Sequence, residues 1–329
     1  MKAVALTRYL PIDDPHALLD VDLDLPEPGP HDLRVRVEAV SVNPVDTKVR
    51  APKAQVESTP RVLGYDAAGV VDAVGDAVYY AGDITRSGSN AQFQLVDARI
   101  VARKPASLDF PAAAALPLTV LTAWELLFER MPYSIDGGGA GKTLLVIGGA
   151  GGVGSIAIQL ARLAGFTVIA TASRDETAAW CRTLGADHVI DHRQALAPQL
   201  QALGLDAVDA ALNLADTDRY WDVLGELLAP QGHVGLIVEP AGALKIGDPY
   251  KAKCIGIHWE FMFARARFKT ADMAEQGRIL ARVAELVDAG RLRSTLTETL
   301  SPISAGTMRE AHRRLESGRT IGKLAVSSW

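Results

Sequence analysis

Glycines 149, 151 and 154 form a GxGxxG within Leu144-Leu145-Val146-Ile147-Gly148-Gly149-Ala150-Gly151-Gly152-Val153-Gly154-Ser155. An apolar run precedes them, and the helical pattern Ile156, Ala157, Leu160, Ala161, Leu163 follows. This is the strand–turn–helix context that a dinucleotide fingerprint requires. In that reading Gly149 permits a tight turn, Gly151 lets backbone N–H groups approach a diphosphate, and Gly154 lets the helix pack on the strand. Gly152 and Val153 are further cofactor-binding candidates in this turn, and the partial positive charge at the N-terminus of the following helix favours an anion. At the end of the next strand the chain runs Ala172-Ser173-Arg174, where an Asp or Glu would bind a ribose 2′-hydroxyl. A hydroxyl and a guanidinium suit a 2′-phosphate instead, because the planar arginine donors match its oxygens. NADPH is therefore expected rather than NADH. A second, compatible use of these residues is a capping box between Ser173 and Glu176, with Arg174 solvated and both Asp175 and Glu176 directed away from the phosphate.

These residues need elements to hold them. A chain of 329 residues suggests two domains. Residues 33–39 alternate apolar and polar side chains, and residues 1–110 read as β-rich. From 143 to 259 the pattern changes to strand–helix units, with strands expected at 143–147, 167–171, 188–191, 207–212, 233–238 and 254–258. Gly165, Gly185 and Gly204 stand where helix C-caps belong. Six short strands alternating with helices predict an α/β fold with a doubly wound parallel sheet. An amphipathic helix over 271–289, a strand at 296–300, a helix at 304–316 and a strand at 321–326 follow. They cannot extend a complete six-stranded sheet in the same rhythm, so they are expected to return to the N-terminal β region.

Net charge is −5, with basic residues scattered rather than striped, which argues against a nucleic-acid partner. Apolar stretches are broken by Gly, Pro or charge short of the ~20 residues that span a bilayer, so no membrane segment is expected. The N-terminus reads as a first strand, not a signal-peptide core. Cys181, in a helical pattern, and Cys254, in a strand pattern, are expected as buried free thiols. A cytoplasmic location follows as the expectation.

Taken together, Ser41-Val42-Asn43-Pro44-Val45-Asp46, the glycine-rich residues 64–75, Ala114-Ala115-Leu116-Pro117-Leu118-Thr119, the fingerprint and Gly185-Ala186-Asp187-His188-Val189-Ile190 resemble the medium-chain dehydrogenase/reductase superfamily. Within it the chain resembles the quinone-oxidoreductase branch, and His258-Trp259-Glu260-Phe261-Met262-Phe263 is similar to the group termed zinc-type alcohol dehydrogenase-like. The resemblance implies a discontinuous GroES-like β-rich domain (1–123 and 262–329), a Rossmann NADP-binding domain (124–261), an active site in the cleft between them and a homodimer. It implies Thr122 near the nicotinamide, Asn213 and Val238 at strand ends facing the cofactor, and Lys323 near the diphosphate. Lys323 could equally be an exposed residue of the last strand. Trp259 and Phe261 could form a pocket wall or a dimer contact. Relatives carry a longer turn with Pro-Gly-Asp after residue 75, so the strand pairing around 74–83 is left open.

A catalytic zinc needs about three protein ligands and an open position. Asn43 stands where zinc-dependent relatives place a Cys, Tyr65-Asp66 where they place His-Glu, and Leu118-Thr119 near the third ligand. The chain has two cysteines in all. His188 and His192, four residues apart on a strand, would lie ~13 Å apart. No metal is expected. Without a Lewis acid, hydride transfer suits an acceptor that delocalises charge onto oxygen, a quinone or activated α,β-unsaturated carbonyl. The small-molecule partner is then an electrophile. Asn43 is a candidate oxyanion donor or a turn residue, and Tyr65 a hydroxyl donor, proton source or packed aromatic. Asp46 and Lys48 are expected as an ion pair or as surface residues. The alternatives are an alcohol or aldehyde dehydrogenase, and a non-catalytic NADPH-binding scaffold or sensor.

Overall fold

The computed structural model describes residues 1–329. The chain divides into two compact units, Met1–Leu121 with Met262–Trp329, and Thr122–Phe261.

In the first unit a mixed sheet runs Leu296–Leu300, Lys323–Ser327, Asp32–Ser41, Ala67–Val71, Ala77–Tyr80 and Ala102–Arg103, with Phe93–Asp97 also paired to Asp32–Ser41. Alternation along Asp32–Ser41 buries Val35, Val37 and Ala39 while Arg36 faces solvent. The last strand pairs antiparallel to it, from Ala325 opposite Ser41 to Ser327 opposite Ala39, so the C-terminal segment does return to the N-terminal β region. Apolar residues from both ends of the chain, among them Val4, Leu6, Val35, Leu63, Met308 and Leu324, share one core. The short connection after residue 71 is a compact turn. Val71 N–H donates to Asp76 O at 2.8 Å, Gly75 takes φ 78°, and the flanking strands stay in register from Ala67–Tyr80 to Val70–Ala77.

The second unit holds six parallel strands in the order 188–190, 167–171, 143–147, 208–213, 228–236, 256–259. This is the doubly wound order that reverses direction beside the fingerprint strand, and ligands bind at the carboxyl edge of such a switch point. Leu144, Leu145 and Val146 are wholly buried, as expected for a parallel strand covered on both faces. The fifth strand begins at Leu228 and ends at Leu236, earlier at both ends than its apolar run suggests. The sixth starts at Gly256. Cys254 precedes it in a turn with φ 52° and is exposed, which corrects its assignment as a buried strand residue; Cys181 is buried. The helical stretch Phe110–Arg130 has the length and mean hydropathy of a membrane span, but Pro111, Pro117 and Glu125 interrupt it as expected, and 78% of its apolar window is buried inside the fold.

Candidate functional site

Each glycine of the fingerprint has a different reason to be there. The tight turn falls on Gly148, at φ 83°, rather than on Gly149. A Cβ on Gly149 would lie 2.9 Å from Ala170 Cβ and 3.1 Å from Cys181 Sγ, so that glycine serves packing. A Cβ on Gly154 would lie 2.3 Å from Gly148 O, which is the close helix–strand approach. Gly151 caps the helix Gly152–Leu163 at φ −74°, ψ 174°, and its Cβ would meet only Gly148 O, at 3.4 Å. Nothing within the fold demands a glycine at 151. With no capping side chain, the N–H groups of Gly152, Val153 and Gly154 lack intrahelical acceptors. An open cradle lined by N–H groups fits a diphosphate. Thr171 anchors the loop, its Oγ1 accepting from Gly148 N–H at 3.1 Å and its carbonyl from Gly149 N–H at 3.2 Å.

At the end of the next strand Ala172 is buried, and the helix Asp175–Thr183 is capped at Arg174 rather than Ser173. Thr177 Oγ1 accepts from Arg174 N–H at 3.1 Å, so the capping interaction lies one residue beyond the expected Ser173–Glu176 pair. Glu176 does not point away; its carboxylate meets the Arg174 guanidinium at 2.7 Å in a solvent-reached pair. Asn213 ends its strand, wholly buried, and its side chain shapes the following turn. Its Nδ2 donates to Asp216 O at 2.8 Å and its Oδ1 accepts from Asp216 N–H at 3.3 Å. Val238 lies two residues past the strand end at Leu236, and its carbonyl accepts from the Thr217 hydroxyl. Thr122 is buried in the helix Pro117–Glu125.

The first unit gathers Asn43, Asp66 and Lys323 into a buried knot. Lys323 is neither exposed nor free for a diphosphate, which corrects both expectations for it. Its ammonium donates to Val42 O at 2.8 Å, to Asp66 Oδ2 at 3.1 Å and to Asn43 Oδ1, using all three N–H groups. Asp66 Oδ1 accepts from Leu118 N–H and Oδ2 from Asn43 Nδ2, each at 2.7 Å. Burial pushes the Asp66 carboxyl up and the Lys323 ammonium down, and each partner holds the other toward its charged form. The Asn43 amide is thus engaged inside the protein, and the oxyanion-donor expectation gives way to a structural role.

Asp46 is buried, not at the surface, while Lys48 is exposed. As the third residue of the helix Pro44–Arg50, Asp46 accepts from Asn43 N–H at 2.8 Å through Oδ2, and its Oδ1 has no partner. Burial pushes this carboxyl up to about 7. The Asn-x-x-Asp spacing carries that capping signature. Tyr65 is buried edge-on to Phe263, with ring centroids 5.3 Å apart. Burial, and then the charge of Asp46, push its hydroxyl up to about 12, so it remains protonated and able to donate.

Residues 29–105 match the family of the alcohol dehydrogenase GroES-like domain, and residues 184–326 match zinc-binding dehydrogenases. A zinc-type alcohol dehydrogenase-like protein from Staphylococcus epidermidis is 37% identical over 337 residues, covering 99% of each chain. A 2-methylene-furan-3-one reductase from Solanum lycopersicum is 29% identical, across 99% of this chain and 79% of its own. Among solved structures, one from Rhizobium etli, named for zinc-dependent alcohol dehydrogenases, is 49% identical with TM-score 0.94, covering 100% and 98% of the two chains. The quinone oxidoreductase of Coxiella burnetii is 27% identical with TM-score 0.79, over 100% and 99%. A mycobacterial protein solved with NADPH is 27% identical with TM-score 0.82, over 99% of each chain.

Proposed function

The chain belongs to the medium-chain dehydrogenase/reductase superfamily, a family of oxidoreductases, and we propose that it is a zinc-independent reductase passing hydride from NADPH to a quinone or an activated α,β-unsaturated carbonyl compound. The observation that carries this reading is the knot around Lys323. Asn43 and Asp66 stand at positions where zinc-dependent relatives place ligands or their neighbours. Both oxygens of Asp66 and the amide oxygen of Asn43 are already spent, two of these three atoms on an ammonium. A divalent cation would have to displace or approach that ammonium, at a like-charge cost in a buried site.

The cofactor supplies hydride when bound. In this reading the N–H groups of Gly152, Val153 and Gly154 hold the diphosphate, Ser173 and Arg174 take the 2′-phosphate, and Thr122, Asn213 and Val238 border the nicotinamide. The Arg174–Glu176 pair, half-buried at the guanidinium and exposed at the carboxylate, contributes about 1 kcal/mol or less, so exchanging Glu176 for a phosphate costs the guanidinium little. The Tyr65 hydroxyl donates a hydrogen bond to the acceptor's oxygen. A neutral donor suffices for a quinone or enone, whose charge spreads over the conjugated system; an unactivated ketone would want a metal. The reductase, quinone oxidoreductase and NADPH-bound protein among the similar proteins support this choice. The edge strand Gly256–Trp259, with Trp259 and Phe261 exposed, is the surface we assign to a homodimer contact.

NADPH oxidation against a panel of quinones, enones, aldehydes and ketones, with and without chelator, tests the proposal. Turnover of quinones or enones that survives chelation is expected. About one zinc per chain by elemental analysis, with turnover of alcohols or aldehydes lost in chelator, would establish the alcohol dehydrogenase alternative instead.

A further inference from the structure

Two buried carboxylates converge on one guanidinium within Thr122–Phe261. Glu125 ends the helix Pro117–Glu125, and Glu260 follows the edge strand Gly256–Trp259. Both side chains are 0% exposed, while Arg130 is 33% exposed. Arg130 Nε donates to Glu260 Oε2 at 2.9 Å and Nη2 to Glu125 Oε2 at 3.3 Å. The carboxyls lie within hydrogen-bonding reach of each other, yet Glu260 Oε1 meets no donor. One positive charge does not balance two desolvated carboxylates, and two like charges in contact resist ionising together. A single proton between them supplies the missing donor and leaves one carboxylate for Arg130.

We propose that Glu125 and Glu260 share one proton at neutral pH and release it to solvent when an oxidised, positively charged cofactor occupies the carboxyl edge of the sheet, so that the charge of the pair follows that of the cofactor. This rests on the NADPH reading above. Glu260 sits just beyond the carboxyl end of a parallel strand, the edge where such sheets bind ligands. Glu125 lies three residues past Thr122 on the same helix, and Leu126–Arg130 continue it as a π-helical turn, a departure often found at functional sites. The groups around the pair do not supply its missing charge. His258, on the same edge strand, touches the Arg130 backbone, and His233 lies 3.0 Å from it on the neighbouring strand. Burial holds both imidazoles below their ordinary range, so they stay neutral at pH 7, and Glu129 is exposed. Burial and the neighbouring Glu125 push Glu260 up to about 9 against the pull of Arg130.

Tyr65 is too weak an acid to give up its proton for good, so the reaction needs another source. Hydride reaching the acceptor carries both electrons and leaves the acceptor's oxygen anionic. The shared proton leaves past the exposed side of Arg130, and solvent carries the balancing proton to that oxygen. The pair, now two carboxylates on Arg130 with net charge −1, faces the +1 charge of the oxidised ring, and reloads from solvent past the exposed side of Arg130 once that ring departs.

Infrared spectroscopy of the free protein at neutral pH should show a protonated carboxyl band that Glu260→Gln and Glu125→Gln each remove, with thermal unfolding confirming that the variants are folded. Calorimetric titration in buffers of different ionisation enthalpy should show NADP⁺ binding releasing up to about one proton more than NADPH binding, a difference lost in both variants. Absence of the band, or equal proton release for the two cofactors, overturns the proposal. Failure of both cofactors to bind would sink the NADPH reading and the coupling built on it, while the band still decides whether the carboxyls share a proton.

Discussion

Gly151→Val separates cofactor binding from folding, because the fold leaves Gly151 free to be another residue. Its φ of −74° and ψ of 174° are ordinary for a branched side chain, so no left-handed strain arises there. The nearest atom to a new Cβ is Gly148 O at 3.4 Å, a contact that a shift of a few tenths of an ångström relieves. The stability change should stay within about 0.5 kcal/mol, the range for substitutions without a buried clash, or a melting shift of about 1–2 °C for a chain of this size. Binding should fall much further. The added side chain occupies the cradle in front of the Gly152–Gly154 N–H groups, and each charge-assisted hydrogen bond lost costs about 1.5–3 kcal/mol. Loss of two such bonds weakens NADPH affinity by at least about a hundredfold. Fluorescence titration with NADPH and thermal unfolding on the same sample measure both quantities. A folded variant that binds NADPH with unchanged affinity would mean the diphosphate is not held at this turn. A variant that unfolds would refute the argument from open space. Gly154→Val is the contrasting case, since its Cβ would sit 2.3 Å from a backbone oxygen and should damage the fold itself.

Arg174→Ala should weaken NADPH by about 1.5–3 kcal/mol and leave NADH nearly unchanged; equal affinity of the unaltered protein for both cofactors would defeat the 2′-phosphate assignment. Lys323→Met should cost about 3–5 kcal/mol in denaturant unfolding, because it strands the buried Asp66 carboxylate without its cation, while the folded variant binds NADPH normally; a selective loss of cofactor affinity would return Lys323 to the diphosphate. Asp46 is raised from 3.8 to about 7 in the folded state, so its stabilising contribution is fully present below pH about 4 and is lost as pH rises through 7. Asp46→Asn should remove that slope from a series of unfolding curves, and an unchanged slope would place the titration elsewhere. His312 runs the other way. It is buried, both ring nitrogens lack partners, and its pKa is lowered from 6.5 to about 3. Its contribution is therefore present above pH 6.5 and lost as pH falls toward 3, a loss that His312→Phe should abolish.

The difference between what was legible in the residues and what was not follows the range of the interactions. The parallel sheet was legible because each strand–helix unit advertises itself locally, through apolar runs such as Leu144–Ile147 and glycine caps such as Gly165. The return of the last strand was legible by counting, since six strands complete the order and the remainder needs another partner. The GxGxxG spacing located the turn but not the duty of each glycine, because Gly148 and Gly149 are interchangeable in a string and only φ 83° assigns the turn to the first. The Lys323 knot was hidden for a different reason. Asp66 is 257 residues away in sequence, and an isolated lysine near a chain end reads as solvated until its strand is paired inside a sheet. Asp46 carried a local signal, the Asn-x-x-Asp cap, yet that spacing says nothing about burial. A cap on a seven-residue helix is silent about depth, and depth moves this carboxyl into the physiological range. Residues whose chemistry depends on desolvation are thus the ones a sequence conceals. The Glu125–Arg130–Glu260 triad is the same case: ordinary charged residues in the string become a proton site only when helix and strand ends exclude water from both carboxylates.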